Sequence, residues 1–255
     1  MPLVITPLRG IPLISAGDDL TSIILAGLAG NRLDLEDGDV LILGQKIVSK
    51  AEGRMVDLRA IVPDEHSIQL AAEVEKDARL VELVLRESKR VVRKQPGVII
   101  VEHKLGFVCA NAGIDHSNVA GPGSTEHEYV LLLPADPDHS ASKLRAELES
   151  GSRKRLGVII NDSHGRPWRL GTVGTCIGLS GIQAIMDERG WRDLFGYTLR
   201  STLVAVADEL AAAASLLMGQ SSEGTPIVHA RGFPYPLRDG SLSDLLRPAE
   251  QDLFR

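Results

Sequence analysis

The sequence predicts a chain of mixed α and β structure, and three observations carry that expectation. Short apolar runs bounded by turn residues recur as strands, such as Asp39-Val-Leu-Ile-Leu43 and Val98 to Glu102. Between them lie longer stretches whose apolar residues return at helical spacing. A hydrophobic share of 44% over 255 residues is enough for a substantial core in one large domain or two small ones.

Taken in order, Leu3-Val-Ile-Thr6 reads as a strand broken by Pro7, and Leu8-Arg-Gly-Ile-Pro12 as a turn. Gly10 there could bring backbone N–H groups close to a ligand, or simply close the turn. Asp18 or Asp19 caps a helix over Leu20 to Gly30 with Leu20, Ile23, Ile24 and Leu28 on one stripe. After the strand ending at Leu43 come Lys46, Lys50 and Arg54, one every four residues. On a helix they line one face, which could be merely solvated; in a loop they could converge on phosphates. Gly44, Ser49, Ala51 and Gly53 favour close approach of a ligand, but the glycine-rich lead-in of a Walker loop is missing.

From Ser67 to Arg93, Leu70, Val74, Ala78, Val81 and Leu85 predict one amphipathic helix, ended by Pro96-Gly97. Lys104-Leu-Gly106 reads as a turn between paired strands, and Gly121-Pro-Gly-Ser-Thr125 as an irregular linker. Tyr129 to Leu133, Ser140 to Ser150 and Leu156 to Ile160 then predict a βαβ unit. Gly171 to Gly181 carries four glycines and implies close backbone approach, to a ligand or a neighbouring segment. Thr202 to Met218 is a buried helix interrupted by Asp208 and Glu209. Pro226 to Arg231 is a strand, and the stretch from Asp239 a polar helix or tail.

Two polar loops stand out. Cys109-Ala-Asn-Ala-Gly-Ile-Asp-His-Ser-Asn-Val119 places Asn111, Asp115, His116, Ser117 and Asn118 within eight residues. An acid flanked by amide and hydroxyl oxygens suits magnesium or manganese; side chains that only cap a tight turn would look the same. Asn161-Asp-Ser-His-Gly-Arg-Pro-Trp-Arg169 follows a predicted strand, where ligands of parallel sheets gather. Asp162 and Ser163 stand there as a second metal-holding pair, with Arg166 and Arg169 placed to meet anionic substrate groups. Asp-Ser before Gly is also ordinary turn chemistry.

Composition excludes several classes. A net charge of -6 with dispersed Lys and Arg argues against a nucleic-acid partner. No apolar run is long enough to span a membrane, and no basic region followed by an apolar segment opens the chain, so a cytoplasmic location is expected. Cys109 and Cys176 lack the paired spacing of a zinc site or disulfide and read as packed small residues.

Ile47-Val-Ser-Lys-Ala-Glu-Gly-Arg54, Asn111-Ala-Gly-Ile-Asp-His-Ser-Asn-Val119, His164-Gly-Arg-Pro-Trp-Arg169 and the helix Asp208-Glu-Leu-Ala-Ala-Ala resemble, in order and spacing, the coenzyme F420-0:L-glutamate ligases along nearly the whole chain. The resemblance implies an α+β fold with mixed sheets and packed helices. It would form two lobes without a separable linker, outside the common nucleotide-binding architectures. It also implies a homodimer and a GTP-dependent ligase that phosphorylates the acceptor carboxylate of a deazaflavin and couples it to L-glutamate. Two divalent ions, magnesium or manganese, and a potassium ion are the implied cofactors. Carried over by residue, Asp115 and Asp162 would hold one metal and Ser163 the neighbouring one, with Gln220 a further metal candidate. Asp115, Asp162 and Lys50 form the implied catalytic set. Gln45, Lys46, Lys50 and Asn118 would contact the nucleotide, with Leu8, Arg9, Gly10 and Ile11 and the Met218-Gly219-Gln220 segment as its remaining contacts. Arg54, His116, Arg166 and Arg169 fall to substrate. The chain departs from the family at Thr172-Val-Gly174, where a polar run is usual, and near Tyr197, where Arg is common. Those changes lie on the implied acceptor side, so a related ligase with a different carboxylate acceptor is the alternative.

Overall fold

The structure, a computed structural model, describes residues 2–121 and 128–253. The elements run β1 (Val4–Pro7), α1 (Leu20–Gly30), β2 (Val40–Gly44), α2 (Gln45–Ala51), β3 (Met55–Asp57), α3 (Glu65–Val74), α4 (Ala78–Arg86), β4 (Ser88–Gln95), β5 (Val98–His103) and β6 (Val108–Ala110). They continue with β7 (Tyr129–Leu131), α5 (Pro137–Ser152), β8 (Gly157–Arg166), β9 (Arg169–Ser180), β10 (Met186–Asp187), β11 (Leu203–Val204), α6 (Val206–Met218), β12 (Ile227–Arg231) and α7 (Leu242–Leu245). Helices and mixed sheets make an α+β fold, as expected.

The main sheet has the order β1-β12-β2-β8-β9, with β2 and β8 its one parallel pair among the described residues. Both faces of its centre are covered, which is why Val40-Leu-Ile-Leu43 is apolar throughout rather than alternating. Leu41, Leu43, Val158 and Ile160 point to one side, against Ile24 of α1, Val48 of α2 and Leu148 of α5. Val40, Ile42 and Ile159 point to the other, against Ala207, Leu210 and Ala214 of α6. Burying each such Leu or Ile is worth about 1.5–3 kcal/mol. A second sheet, β4-β5-β6, packs Ile99 and Val101 on Leu70 and Val74 of α3 and Val81 and Val84 of α4.

Three expectations are corrected. The single helix over Ser67 to Arg93 is two helices and a strand. Glu75 enters the left-handed region at φ 54° and Asp77 accepts from Arg79 N to start a new helix, after which Ser88 begins β4. The apolar spacing ran through that break because both helices face the same sheet. The βαβ unit is not formed either. β7 pairs antiparallel with β3 in a separate two-stranded sheet, and the parallel neighbour of β8 is β2. The expected 161–169 loop is instead a long hairpin, β8 and β9, with residues 162 to 165 all paired across it.

Smaller differences follow the same logic. The buried helix begins at Val206, because Leu203–Val204 is taken into a two-residue pairing with Met186–Asp187. The stretch from Asp239 gives only the short α7, started by a reciprocal cap between Ser241 and Asp244. Asp19, not Asp18, caps α1, accepting from Ser22 N at 3.1 Å. Lys104-Leu-Gly106 does turn the chain between β5 and β6, with Gly106 at φ 102°. Apart from Gly121, the linker expected at 121–125 lies outside the described residues.

One edge of the main sheet gathers four chain segments. Leu8 N donates to Ile227 O and Gly44 N to Pro226 O, both at 2.8 Å, while Gly44 pairs with Asn161. The end of β1, the start of β12, the end of β2 and the middle of β8 therefore open side by side.

Candidate active site

At that edge the chain leaves β2 directly into α2, so Gln45 and Lys46 stand at its opening turn and Lys50 follows in its last. The 109–119 segment comes to meet them from the second sheet. Three consecutive left-handed residues, Asn111, Ala112 and Gly113, turn the backbone after β6. Asn111 Oδ1 pins that turn by accepting from Ile99 N at 3.2 Å. Asp115 is then fixed by two backbone bonds to Leu131, N to O at 3.0 and 2.9 Å.

Asp115 is held at both oxygens. Lys46 Nζ lies 3.1 Å from Oδ1, and Gln45 Nε2 donates to Oδ2 at 2.5 Å. Gln45 is itself buried and oriented by Ser49 Oγ, which donates to its Oε1 at 2.9 Å. Lys46 also reaches Ser117 Oγ at 3.3 Å, and Lys50 Nζ donates to Asn118 O at 2.7 Å. Asn118, at φ 57°, carries the contact onward by donating to Ser221 O at 2.9 Å. Helix α2, the 115–118 loop and the segment after α6 are thus laced together.

The β8 strand supplies the other wall. Its residues alternate, so Asp162 and His164 share a face while Asn161 and Ser163 share the opposite one. Asp162 Oδ2 is 3.0 Å from His164 Nε2, and Thr175 Oγ1 donates to the Asp162 carbonyl at 3.4 Å. His164 in turn packs on Phe107, ring centroids 5.0 Å apart. On the reverse face, Ser163 Oγ donates to Gln220 Oε1 at 2.9 Å and Asn161 Nδ2 points to Met218 Sδ at 3.4 Å. The Oδ1 of Asn161 is buried without a hydrogen-bond partner.

The two carboxylates lie near enough to feel each other's charge. Burial pushes the Asp115 carboxyl above its usual range; Lys46 opposes that, and the neighbouring Asp162 charge adds to it. Burial, with a smaller push from Asp162, raises the Cys109 thiol to about 12, so it stays protonated and unreactive. Burial, and then the nearby Lys46, lowers Lys50. Burial likewise raises Asp208, which accepts from Cys176 N at 2.9 Å and faces His164.

The carboxylate oxygens of Asp115 and Asp162 suit magnesium or manganese, and an ion there would take the place of their contacts to nitrogens of Lys46, Gln45 and His164. Ser163 and Gln220 offer neutral oxygens on the far side of β8. Among the described residues no three His, Cys, Asp or Glu side chains cluster closely enough to hold an ion by themselves. Magnesium-type binding needs only one or two carboxylates, with waters and substrate phosphates completing the shell. The buried, partnerless oxygen of Asn161 adds an acceptor beside this set.

Other sequence-selected residues fall elsewhere. Leu8 is fully buried, leaving only its backbone at the sheet edge. Arg9 and Gly10 are exposed beside a cavity of about 540 Å³ shared with Ile23, Ala26 and Gly27 of α1. Asn31 clamps this turn, accepting from Arg9 N at 3.2 Å and donating to Arg9 O at 3.0 Å. Arg54 is tied to Glu87 at 2.8 Å and to Leu133 O at 2.9 Å. His116 is half-buried next to Asp115. Arg166 and Arg169 face each other at the hairpin end. Gly219, at φ 70°, leaves no room for a side chain beside Glu223. Sequence reasoning left Asn161, His164, Thr175 and Asn31 without a part. Reading 161–169 as a strand would have found His164, since alternation places it beside Asp162.

The departure at Gly174 has a packing reason. A side chain there would meet Ala211 O and Ser215 Cβ of α6 at 2.6 Å, so glycine lets α6 lie against β9.

The family match and the relatives define one class of protein, that of the ligases. The chain spans nearly the full length of several of them. It belongs to the F420-0:gamma-glutamyl ligase family, whose model matches residues 10–232. A coenzyme F420:L-glutamate ligase of Methanothermobacter thermautotrophicus is 47% identical over 97% of this chain and 96% of its own length. That of Methanocaldococcus jannaschii is 45% identical over 87% and 86%, and that of Archaeoglobus fulgidus 43% over 100% and 97%. Among the described residues no helix is long and apolar enough to cross a membrane.

Proposed function

We propose that this protein joins L-glutamate to the carboxylate of coenzyme F420-0 as an amide, at the expense of GTP and through an acyl phosphate. The observation that carries the reading is the meeting of Asp115 and Asp162 with Lys46 and Lys50 at one sheet edge. An acceptor carboxylate oxygen attacks the γ-phosphorus and the bond to the β-phosphate oxygen breaks, releasing GDP. The amine of glutamate then attacks the acyl carbon, phosphate leaves, and the amine gives up a proton. Charge on the transferring group has to be neutralised, and positioning supplies much of the rest.

In this reading Asp115 and Asp162 hold one divalent ion, and Ser163 with Gln220 holds a second across β8. Magnesium or manganese, when bound, supplies charge neutralisation and in-line geometry at the phosphoryl group. Potassium is a further candidate cofactor. Lys46, Lys50, Gln45 and Asn118 receive the triphosphate. The turn Leu8 to Ile11 and the segment Met218 to Gln220 take the rest of the nucleotide. Arg54 and His116, with Arg166 and Arg169, serve the acceptor and glutamate, Arg54 through its grip on Glu87 and Leu133.

The unit of function is a homodimer of two-lobed chains working in the cytoplasm. The segment between β10 and β11 favours the dimer. Leu194 and Phe195 are 98% and 95% exposed on it, with Trp191 half-exposed, while Leu199 N to Trp191 O at 2.8 Å and Asp193 N to Tyr197 O at 2.9 Å hold its shape.

The test is incubation with GTP, manganese, L-glutamate and F420-0. The expected result is a glutamylated product by mass, with one GDP and one phosphate per amide. Nucleotide turnover only with another carboxylate would favour the alternative, a related ligase with a different acceptor, for which Thr172 and Tyr197 are the supporting departures.

A further inference from the structure

We propose that the tip of the β8–β9 hairpin is the acceptor's head-group subsite, with Trp168 as the platform on which a planar aromatic ring stacks. Arg166 and Arg169 would hold an anionic linker between that ring and the carboxylate reacting at Asp162. This rests on the ligase reading above and names how its acceptor is selected.

Residues 162, 164 and 166 fall on one face of β8. The register Gly165 to Thr172 and Arg166 to Arg169 puts the extra residues, Leu170 and Gly171, on β9, so alternation along β8 is unbroken. Arg169 stands directly across from Arg166 and therefore shares its face. Four strand steps separate Asp162 from Arg166, a span of roughly 13 Å. An acceptor whose carboxylate reaches Asp162 would pass the edge of His164, which packs on Phe107, with its anionic part at the two guanidiniums and its ring beyond them.

The guanidiniums are available for such a ligand. Arg166 donates to Gly171 O at 3.1 Å, and neither Arg forms an ion pair with a described carboxylate. On a chain of net charge -6, a pair of uncompensated cations at one hairpin end complements an anion. Trp168 is 90% exposed, so its indole is not packed on its own chain. It also occupies φ 64°, a conformation unusual for a bulky residue and found more often at ligand clamps than in ordinary turns. Gly165 and Gly171 leave open space on either side.

Trp168→Ala, Trp168→Phe and the pair Arg166→Ala/Arg169→Ala test this in the full chain with GTP, manganese and L-glutamate. Trp168→Ala should raise KM for F420-0 by about three- to tenfold, the worth of one aromatic pair, and Trp168→Phe should restore most of it. Its kcat and its KM for GTP and for glutamate should not move. The double Arg variant should raise the same KM further. Binding read directly from deazaflavin fluorescence should weaken in parallel, and this needs no turnover. Wild-type binding without product would sink the ligase reading and leave the subsite standing. Equal binding by wild type and Trp168→Ala would overturn the subsite. A Trp168→Ala protein that sediments as a smaller species and loses GTP affinity would also overturn it, making the tip a subunit contact.

Discussion

Lys46 Nζ sits 3.1 Å from Asp115 Oδ1, an ion pair across 69 positions of chain that joins the first turn of α2 to the loop after β6. Asp162 lies near enough to oppose the ionisation of Asp115, and Lys46 works against that push. A cation held between the two carboxylates would relieve that repulsion, which underlies the first prediction.

Asp162→Asn should abolish cation-dependent turnover while leaving the far-ultraviolet circular dichroism and the melting cooperativity unchanged. Among the described residues its carboxylate is bonded to His164, and an amide of the same shape keeps that contact. Full activity in the variant would remove Asp162 from the cation set.

Lys50→Ala should weaken GTP binding more than glutamate binding, by about tenfold for loss of one charge-assisted contact. Isothermal titration with each ligand separates the two. Equal losses for both would count against the assignment of Lys50 to the nucleotide.

Buried His103 sets an acid limit to stability. Burial, against some help from Glu87, holds its imidazole at about 4, below the ordinary 6.5. Its Nδ1 accepts from Leu105 N at 3.0 Å, and its ring stacks on Phe107. Because the unfolded chain takes up the proton first, stability is full above about 6.5 and falls as pH drops toward 4. The loss reaches about 3 kcal/mol at most. His103→Asn keeps an acceptor and should flatten that slope in urea melts from pH 7 to 4. An unchanged slope would assign the acid sensitivity elsewhere.

Gly174→Ser should destabilise by roughly 1–3 kcal/mol, since the new side chain meets the backbone of α6. Wild-type stability in the variant would mean that α6 can retreat from β9 at no cost. On the segment between β10 and β11, Phe195→Glu should shift sedimentation from dimer to monomer with an unchanged melting profile for the separated chain. A dimer that persists would place the subunit contact on another surface.

The sequence disclosed the main helices and the central strands because one simple period governs each. Leu20, Ile24 and Leu28 mark α1, and Val40 to Leu43 reads as a strand covered on both faces. The break at Glu75 was hidden, since α3 and α4 present one continuous apolar spacing to the same sheet; only Asp77, a cap residue, marked it. The hairpin over 161–169 was hidden by Asn, Asp, Ser and Gly, which are turn formers in isolation and are held extended here by pairing with β9. Asp115, Asp162, Lys46 and Lys50 were legible as polar residues after strands. Their convergence was not, because it depends on the parallel pairing of β2 with β8 and on the 111–113 turn. His164 and Thr175 touch Asp162 through strand alternation and cross-strand register, neither of which exists until the hairpin does.

The most direct measurement is anomalous diffraction at the manganese edge from crystals grown with GTP and manganese. The expected result is a peak bonded to carboxylate oxygens of both Asp115 and Asp162, with a phosphate oxygen of the nucleotide completing its shell. A nucleotide bound with manganese touching neither carboxylate, or only one of them, would contradict the shared cation site on which the proposed chemistry stands.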